Sequence, residues 1–224
     1  MCGRFTLTVD PDELLETFPW VTLPSPPLTP RYNIAPTQPV AVVANNGQNR
    51  IELFRWGLIP AWAKDPAIGN RLINARAETL PEKPSFRSAF RQRRCLILAD
   101  GFYEWRKEPD GQGKTPMYIR LKSRTPFAFA GLWEAWRAPD GKTLLSCVII
   151  TTTPNSLMEK IHDRMPVILK PAAYERWLDP AESEPFALLD VLKPYPASHM
   201  TAYAVSKRVN KPDVDLPECI APAK

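Results

Sequence analysis

Apolar and polar residues alternate in short runs along most of this chain. The segments "CGRFTLT", "PVAVVAN", "IELFRWG", "RRCLILADGFYEW", "PMYIRLK", "PFAFAGLWEAW" and "TLLSCVIITTT" combine β-branched and aromatic residues with a period near two, which predicts strands. The alternation in "MYIRLK", from Met117 to Lys122, is that of a half-buried antiparallel strand. Helical signals are short. "DPDELLETF" offers Asp10 as an N-cap and Pro11 in the first turn. "KPSFRSAFRQ", "PNSLMEKIH", "PAAYERWLD" and "EPFALLDVL" read similarly. Strands and short helices do not alternate as βαβ units. The expected fold is therefore α+β, a single domain over residues 1–224 around a curved, barrel-like, mainly antiparallel β-sheet with short peripheral helices.

Composition sharpens this picture at a few points. The chain has 26 prolines in 224 residues, which favours fixed turns over long helices. No run of about 18 apolar residues exists, so no membrane-spanning helix is expected. The N-terminus lacks a basic stretch followed by an apolar one, which points to the cytoplasm. The net charge of +5 permits a polyanionic partner without requiring one. Cys2, Cys95, Cys147 and Cys219 show no CxxC spacing, so no metal site, disulfide framework or cofactor is expected. Cys95 and Cys147 lie in apolar runs and read as small core residues.

Cys2 is different. Removal of Met1 would leave an α-amine and a thiol on adjacent carbons. An α-amine titrates near 7.7–8.0, so roughly a tenth is free base at neutral pH. Such a pair can condense with an aldehyde to an imine, which the sulfur then closes to a thiazolidine. Cys2 can equally be the start of a strand and no more. His162 lies in "IHDRMPV", where a helix would stop at a polar turn, and histidine is the natural proton carrier near pH 7. His199 has less polar company and reads as structural. Glu104, between Tyr103 and Trp105, is either a desolvated acid–base carboxyl or a surface glutamate. Asn74 and Arg76 in "LINARAET" could orient an amine and grip a phosphate.

Arginines at 4, 31, 55, 71, 76, 87, 91, 93 and 94, with Trp56, Trp62 and Trp105, suit a single-stranded nucleic acid, whose bases stack on aromatics. "RSAFRQRR" also fits the solvated face of a short helix.

"MCGRF", "RYNIAPTQ", "WGLIPAWAKD", "RLINARAET", "CLILADGFYEW", "AGLWE", "IHDRMPVIL" and "VSKRVNKPDVDLPECI" occur in the order seen in the SOS-response-associated peptidase (SRAP) family, the abasic-site processing proteins. The chain resembles that family over essentially its whole length. The resemblance implies a β-barrel-like α+β domain with a positively charged channel. It also implies that mature Cys2 captures the ring-opened aldehyde of an abasic site as a covalent cross-link. Asn74 would hold the amine, Glu104 would shuttle protons, and His162 would act on the sugar hydroxyl and in reversal. Arg4 and Arg76 would bind flanking phosphates. Asn33, Pro36 and Trp62 would line the channel, and Arg164 joins the DNA-binding set. The implied partner is single-stranded DNA carrying abasic sites, with replication-fork proteins as a second class, no membrane, and a monomeric chain. Lyase-like strand nicking and autoproteolytic loss of Met1 are the implied side reactions. Two rivals stand beside this reading: a cysteine peptidase built on Cys2 and His162, and a non-covalent single-strand binder.

Overall fold

In the computed structural model, which describes residues 2–108, 110–182 and 184–223, thirteen strands are distinguished among the described residues. They are β1 (Arg4–Leu7), β2 (Arg31–Ile34), β3 (Pro39–Ala44), β4 (Ile51–Trp56), β5 (Asn74–Arg76), β6 (Arg94–Ala99) and β7 (Gly101–Lys107). The remainder are β8 (Lys114–Leu121), β9 (Phe127–Arg137), β10 (Thr143–Thr152), β11 (Met165–Pro166), β12 (Ile168–Leu169) and β13 (Met200–Ala204). Strands β10, β4, β3, β6 and β9 run side by side, and β9 pairs back onto β10 to close a five-stranded barrel. A second, wholly antiparallel sheet has the order β13-β8-β7-β1-β2. The expected α+β barrel with peripheral helices is what the chain forms, and two pairings, β10 with β4 and β10 with β5, are parallel.

The two sheets meet through aromatic residues. Phe5 of β1 packs edge-on against Trp56 of β4 at 5.1 Å and against Phe129 of β9 at 5.7 Å, and Phe102 of β7 reaches Phe129 at 6.1 Å. All four rings are buried. Burial of each is worth about 1.5–3 kcal/mol, before the smaller contribution of ring geometry. The segment "CLILADGFYEW" is indeed strand, bend, strand, but its halves belong to different sheets: β6 to the barrel and β7 to the second sheet. Asp100 at the switch accepts hydrogen bonds from the Thr6 hydroxyl and from the backbone and hydroxyl of Thr8. Gly101 is required there because a Cβ would lie 2.1 Å from the Tyr118 hydroxyl oxygen. This corner sets the register Arg4↔Tyr103, Phe5↔Phe102, Thr6↔Gly101, which brings the chain ahead of β1 beside Glu104.

Helices are short, as the sequence suggests. α1 (Pro11–Thr17) starts at Asp10, whose side chain accepts from the Asp12 and Glu13 amides at 3.0 Å each. α2 (Arg87–Gln92) and α3 (Tyr174–Leu178) cover the barrel's outside. The expected helices in "PNSLMEKIH" and "EPFALLDVL" are only 3-10 turns, Met158–Lys160 and Pro185–Val191. Among the described residues no helix is long and apolar enough to cross a membrane.

Candidate active site

The end of β10 gathers the site. Its Thr151 lies opposite Arg76 of β5 in one register and opposite Pro166 of β11 in another. Alternation along β5 buries Ala75 and leaves Asn74 half-buried and Arg76 exposed. Asn74 Nδ2 donates to the carbonyl of Cys2 at 2.8 Å. Its buried Oδ1 has no hydrogen-bond partner among the described residues. Cys2 itself is fully buried, with its thiol aimed at the Arg4 carbonyl at 3.7 Å. Burial, reinforced by the nearby Glu104 carboxylate, pushes the Cys2 thiol far above its ordinary value.

Glu104 on β7 is 2% exposed, and burial raises its carboxyl above the usual range while His162 pulls it back down. His162 precedes β11, with Nε2 4.0 Å from Glu104 Oε2. The Arg164 backbone N–H donates to His162 Nδ1 at 3.0 Å. In the neutral ring that contact makes Nδ1 the acceptor and places the proton on Nε2, on the side facing Glu104. The Asp163 carboxylate lies 2.8 Å from the same Nδ1. Thus Cys2, Asn74, Glu104 and His162, drawn from four separate segments, converge in one place.

The DNA-binding candidates are placed unequally. Arg76 is exposed, Pro36 is half-buried and Trp62 is 61% exposed. Trp62 rides on a loop pinned by Arg55, whose Nη1 donates to Gly57 O at 3.0 Å and Nη2 to Asn70 Oδ1 at 2.5 Å. Gly57 adopts φ 126°, and a Cβ there would lie 2.4 Å from Gly69 O, so only glycine lets these two turns touch. Asn33 is fully buried and donates to the Val209, Lys211 and Val214 carbonyls at 3.2, 3.0 and 2.7 Å. It sits behind Arg4, accepting from Arg4 Nη1 at 2.8 Å, and so orients that guanidinium from within. Arg4 is further tied to Val209 O at 2.6 Å and Asn210 O at 3.3 Å. Arg164 forms a two-pronged pair with Glu78, at 2.7 and 2.9 Å.

Part of the basic and aromatic set is structural. Arg94 is fully buried and donates to the carbonyls of Phe90, Arg91, Trp177 and Asp179. Arg93 pairs with Glu134 at 2.9 Å, and Trp56 is inside the barrel with its N–H on Ile73 O. Arg94 and Trp56 are fully buried and cannot reach a nucleic acid without unfolding their surroundings, whereas Arg93 is half-buried and held by Glu134. Sequence reading also missed Asp215, which accepts from the Tyr32 and Asn33 amides and pairs with Arg31, and so ties the C-terminal segment behind Arg4. It missed Glu78 as well. Partners 184 and 86 residues apart leave no periodic signal. Met1, on which N-terminal processing turns, lies outside the described residues. Among those residues no group of three or more His, Cys, Asp or Glu could hold a metal ion.

The model of the SOS response associated peptidase (SRAP) family matches residues 1–212. The chain belongs to the SRAP family. It is 52% identical over 222 residues to abasic site processing protein YoqW of Bacillus subtilis, spanning 98% of this chain and 99% of that one. It is 31% identical to abasic site processing protein HMCES of Xenopus tropicalis, over 99% of this chain and 78% of the relative. A crystal structure of a protein from Bacteroides thetaiotaomicron superposes with a TM-score of 0.89 at 28% identity, covering all of both chains. In this SRAP chain Cys2 converges with Asn74, Glu104 and His162, Arg76 is exposed on the same strand as Asn74, and Trp62 is an exposed aromatic on its own loop.

Proposed function

We propose that this SRAP protein processes abasic sites in single-stranded DNA, capturing the sugar aldehyde on Cys2, as mature N-terminus, in a thiazolidine cross-link. The observation that carries this reading is the Asn74 amide. One edge already holds the Cys2 carbonyl, and the other presents a buried oxygen that lacks a donor among the described residues. An amide oxygen accepts only, so its complement is a hydrogen-bond donor, which an amine supplies. The α-amine of Cys2 belongs to the residue that Asn74 already grips, and holding both groups would aim the amine's lone pair at an incoming aldehyde.

The chemistry then follows in balanced steps. The neutral amine adds to the aldehyde carbon, and the carbinolamine loses hydroxide and a proton as water to give the imine. The Cys2 S–H next adds across the C=N bond, sulfur to carbon and proton to nitrogen, closing the five-membered ring. Net, aldehyde and aminothiol yield thiazolidine and one water. Glu104, with its carboxyl raised toward working pH, suits the proton transfers to and from nitrogen and the departing oxygen. A sugar hydroxyl brought to Glu104 and His162, whose Oε2 and Nε2 are 4.0 Å apart, could exchange its proton with both. Sulfur closure removes the iminium that would otherwise acidify the sugar and expel the 3′ phosphate. The strand is cross-linked rather than cut. A peptidase built on a resident thiolate–imidazole pair is disfavoured by the burial and the Glu104 charge that hold the Cys2 thiol protonated.

The test is a denaturing gel with a single-stranded oligonucleotide carrying one abasic site, beside its intact counterpart. A heat-resistant shift is expected only for the abasic strand with native Cys2, and none with Cys2→Ala. A peptide-cleaving activity lost in Cys2→Ala, without any cross-link, would overturn the reading.

A further inference from the structure

Arg76, Glu78 and Arg164 form an alternating row of charges at the rim of the site. Arg164 is mostly covered, with its side chain 13% exposed, whereas Glu78 above it is 46% exposed. Both Glu78 oxygens engage the two terminal nitrogens of the guanidinium, and Nη2 also donates to the Thr151 carbonyl at 2.7 Å. Among the described residues the buried Arg164 Nε has no hydrogen-bond partner, so this pairing does not use all that the guanidinium offers. Arg164 hydrogen bonding holds the Glu78 carboxyl below its ordinary range, with the Arg76 charge adding to the effect. The carboxylate thus stands near two cations and presents two oxygens to one guanidinium fork, as a phosphodiester also can.

We propose that Glu78 keeps Arg164 in reserve for the DNA backbone, its carboxylate occupying the guanidinium fork that a backbone phosphate takes over on binding. The inference rests on the single-strand binding part of the function proposed above and adds a specificity element to it. A solvent-side carboxylate can swing away, while the guanidinium beneath stays anchored on Thr151. A DNA strand must then displace an internal anion at this point, which lowers affinity for any passing polyanion. A phosphate placed in register at the site recovers the contact. Arg76, exposed beside it, meets the backbone without such a competitor.

A double-mutant cycle in affinity for an intact, fluorescently labelled single strand tests this, using native protein, Glu78→Gln, Arg164→Gln and the double variant. Glu78→Gln is expected to tighten binding by about fivefold in the native background, the upper range for one exposed ion pair. In the Arg164→Gln background the gain is expected to stay below about twofold, because the reserved fork is gone. Equal gains in both backgrounds would reduce Glu78 to general repulsion and overturn the proposal. Weaker or unchanged binding by Glu78→Gln would overturn it too, by making the carboxylate a support for Arg164. No binding by any of the four proteins at low salt would instead sink single-strand binding itself. Thermal melts check folding, and Glu78→Asp, too short to reach both nitrogens, runs the same cycle if Glu78→Gln melts early.

Discussion

Two basic regions of this protein read alike in sequence and behave oppositely in the fold. The run Arg87–Gln92 with Arg93 and Arg94 looks like a nucleic-acid patch, yet its deepest cation is saturated. Arg94 gives its donors to four carbonyls at the ends of two helices and lies 5.9 Å from the Trp177 ring centroid. The rim around β10 has fewer cations, and they are held less completely. Among the described residues Arg164 leaves Nε unmet and Asn74 leaves Oδ1 unmet, and Arg76 is exposed. Buried polar groups that are fully paired stabilise a fold. A buried atom left unmet needs a reason: Arg93 Nε, in the first region, has the Glu134 carboxylate at 2.9 Å, and at the rim the proposed reason is the DNA strand.

The sharpest way to break this contrast is Arg94→Ala. It strands four carbonyls, two of them in buried bonds that each cost about 1–3 kcal/mol without their donor, so a loss of at least about 2 kcal/mol in denaturant unfolding is expected. Single-strand affinity of whatever stays folded should not change. A near-neutral effect on stability, with weakened DNA binding, would reverse the assignment of the two regions.

On the other side of the comparison, Glu104→Gln should slow cross-linking by about 10²–10⁴ while leaving affinity for an intact strand nearly unchanged. The native rate should fall as pH drops through a carboxyl value above the ordinary one near 4.3, and the variant should lose that limb. Stability should move the other way. A carboxyl with a raised folded value binds its proton more tightly when folded than when unfolded. Its contribution is present below the unfolded value and is lost as pH rises through the folded one. At neutral pH the Gln variant should therefore melt no earlier than native. Equal losses of rate and affinity would move Glu104 from chemistry to binding.

Smaller effects test the accessible flanks. Trp62→Ala should weaken intact single-strand binding by about 1–3 kcal/mol, the worth of one base stack, with unchanged melting because the ring is 61% exposed. Arg76→Gln should lower the slope of log affinity against log salt by about 0.7, one phosphate contact on a single strand. If the slope stays put, Arg76 touches no phosphate.

Much of this architecture was legible in the chain itself. Period-two runs identified the strands, and Asp10 with Pro11 marked the start of α1, because those signals are local. Two segments that read as helices settle for 3-10 turns, Met158–Lys160 and Pro185–Val191. The split of "CLILADGFYEW" between two sheets was not legible, because it depends on Asp100 meeting Thr6 and Thr8 from the other end of the fold. The residue types at Cys2, Glu104 and His162 advertised chemistry on their own. That Asn33 works from behind Arg4 became visible only with the three carbonyls around its amide. Arginine in sequence says nothing of whether its fork is occupied, which is why Arg94 and Arg164 could not be told apart.

The central claim is that Cys2 closes a ring through both its nitrogen and its sulfur. Its most direct test is peptide mass spectrometry of the adduct formed with an abasic single strand, without any reductant. The account predicts an adduct on an N-terminal peptide that begins at Cys2, heavier by the sugar remnant less one water, with no free thiol at that residue. An adduct on a lysine, one that survives only after borohydride, or one that leaves the Cys2 thiol open to alkylation would contradict it.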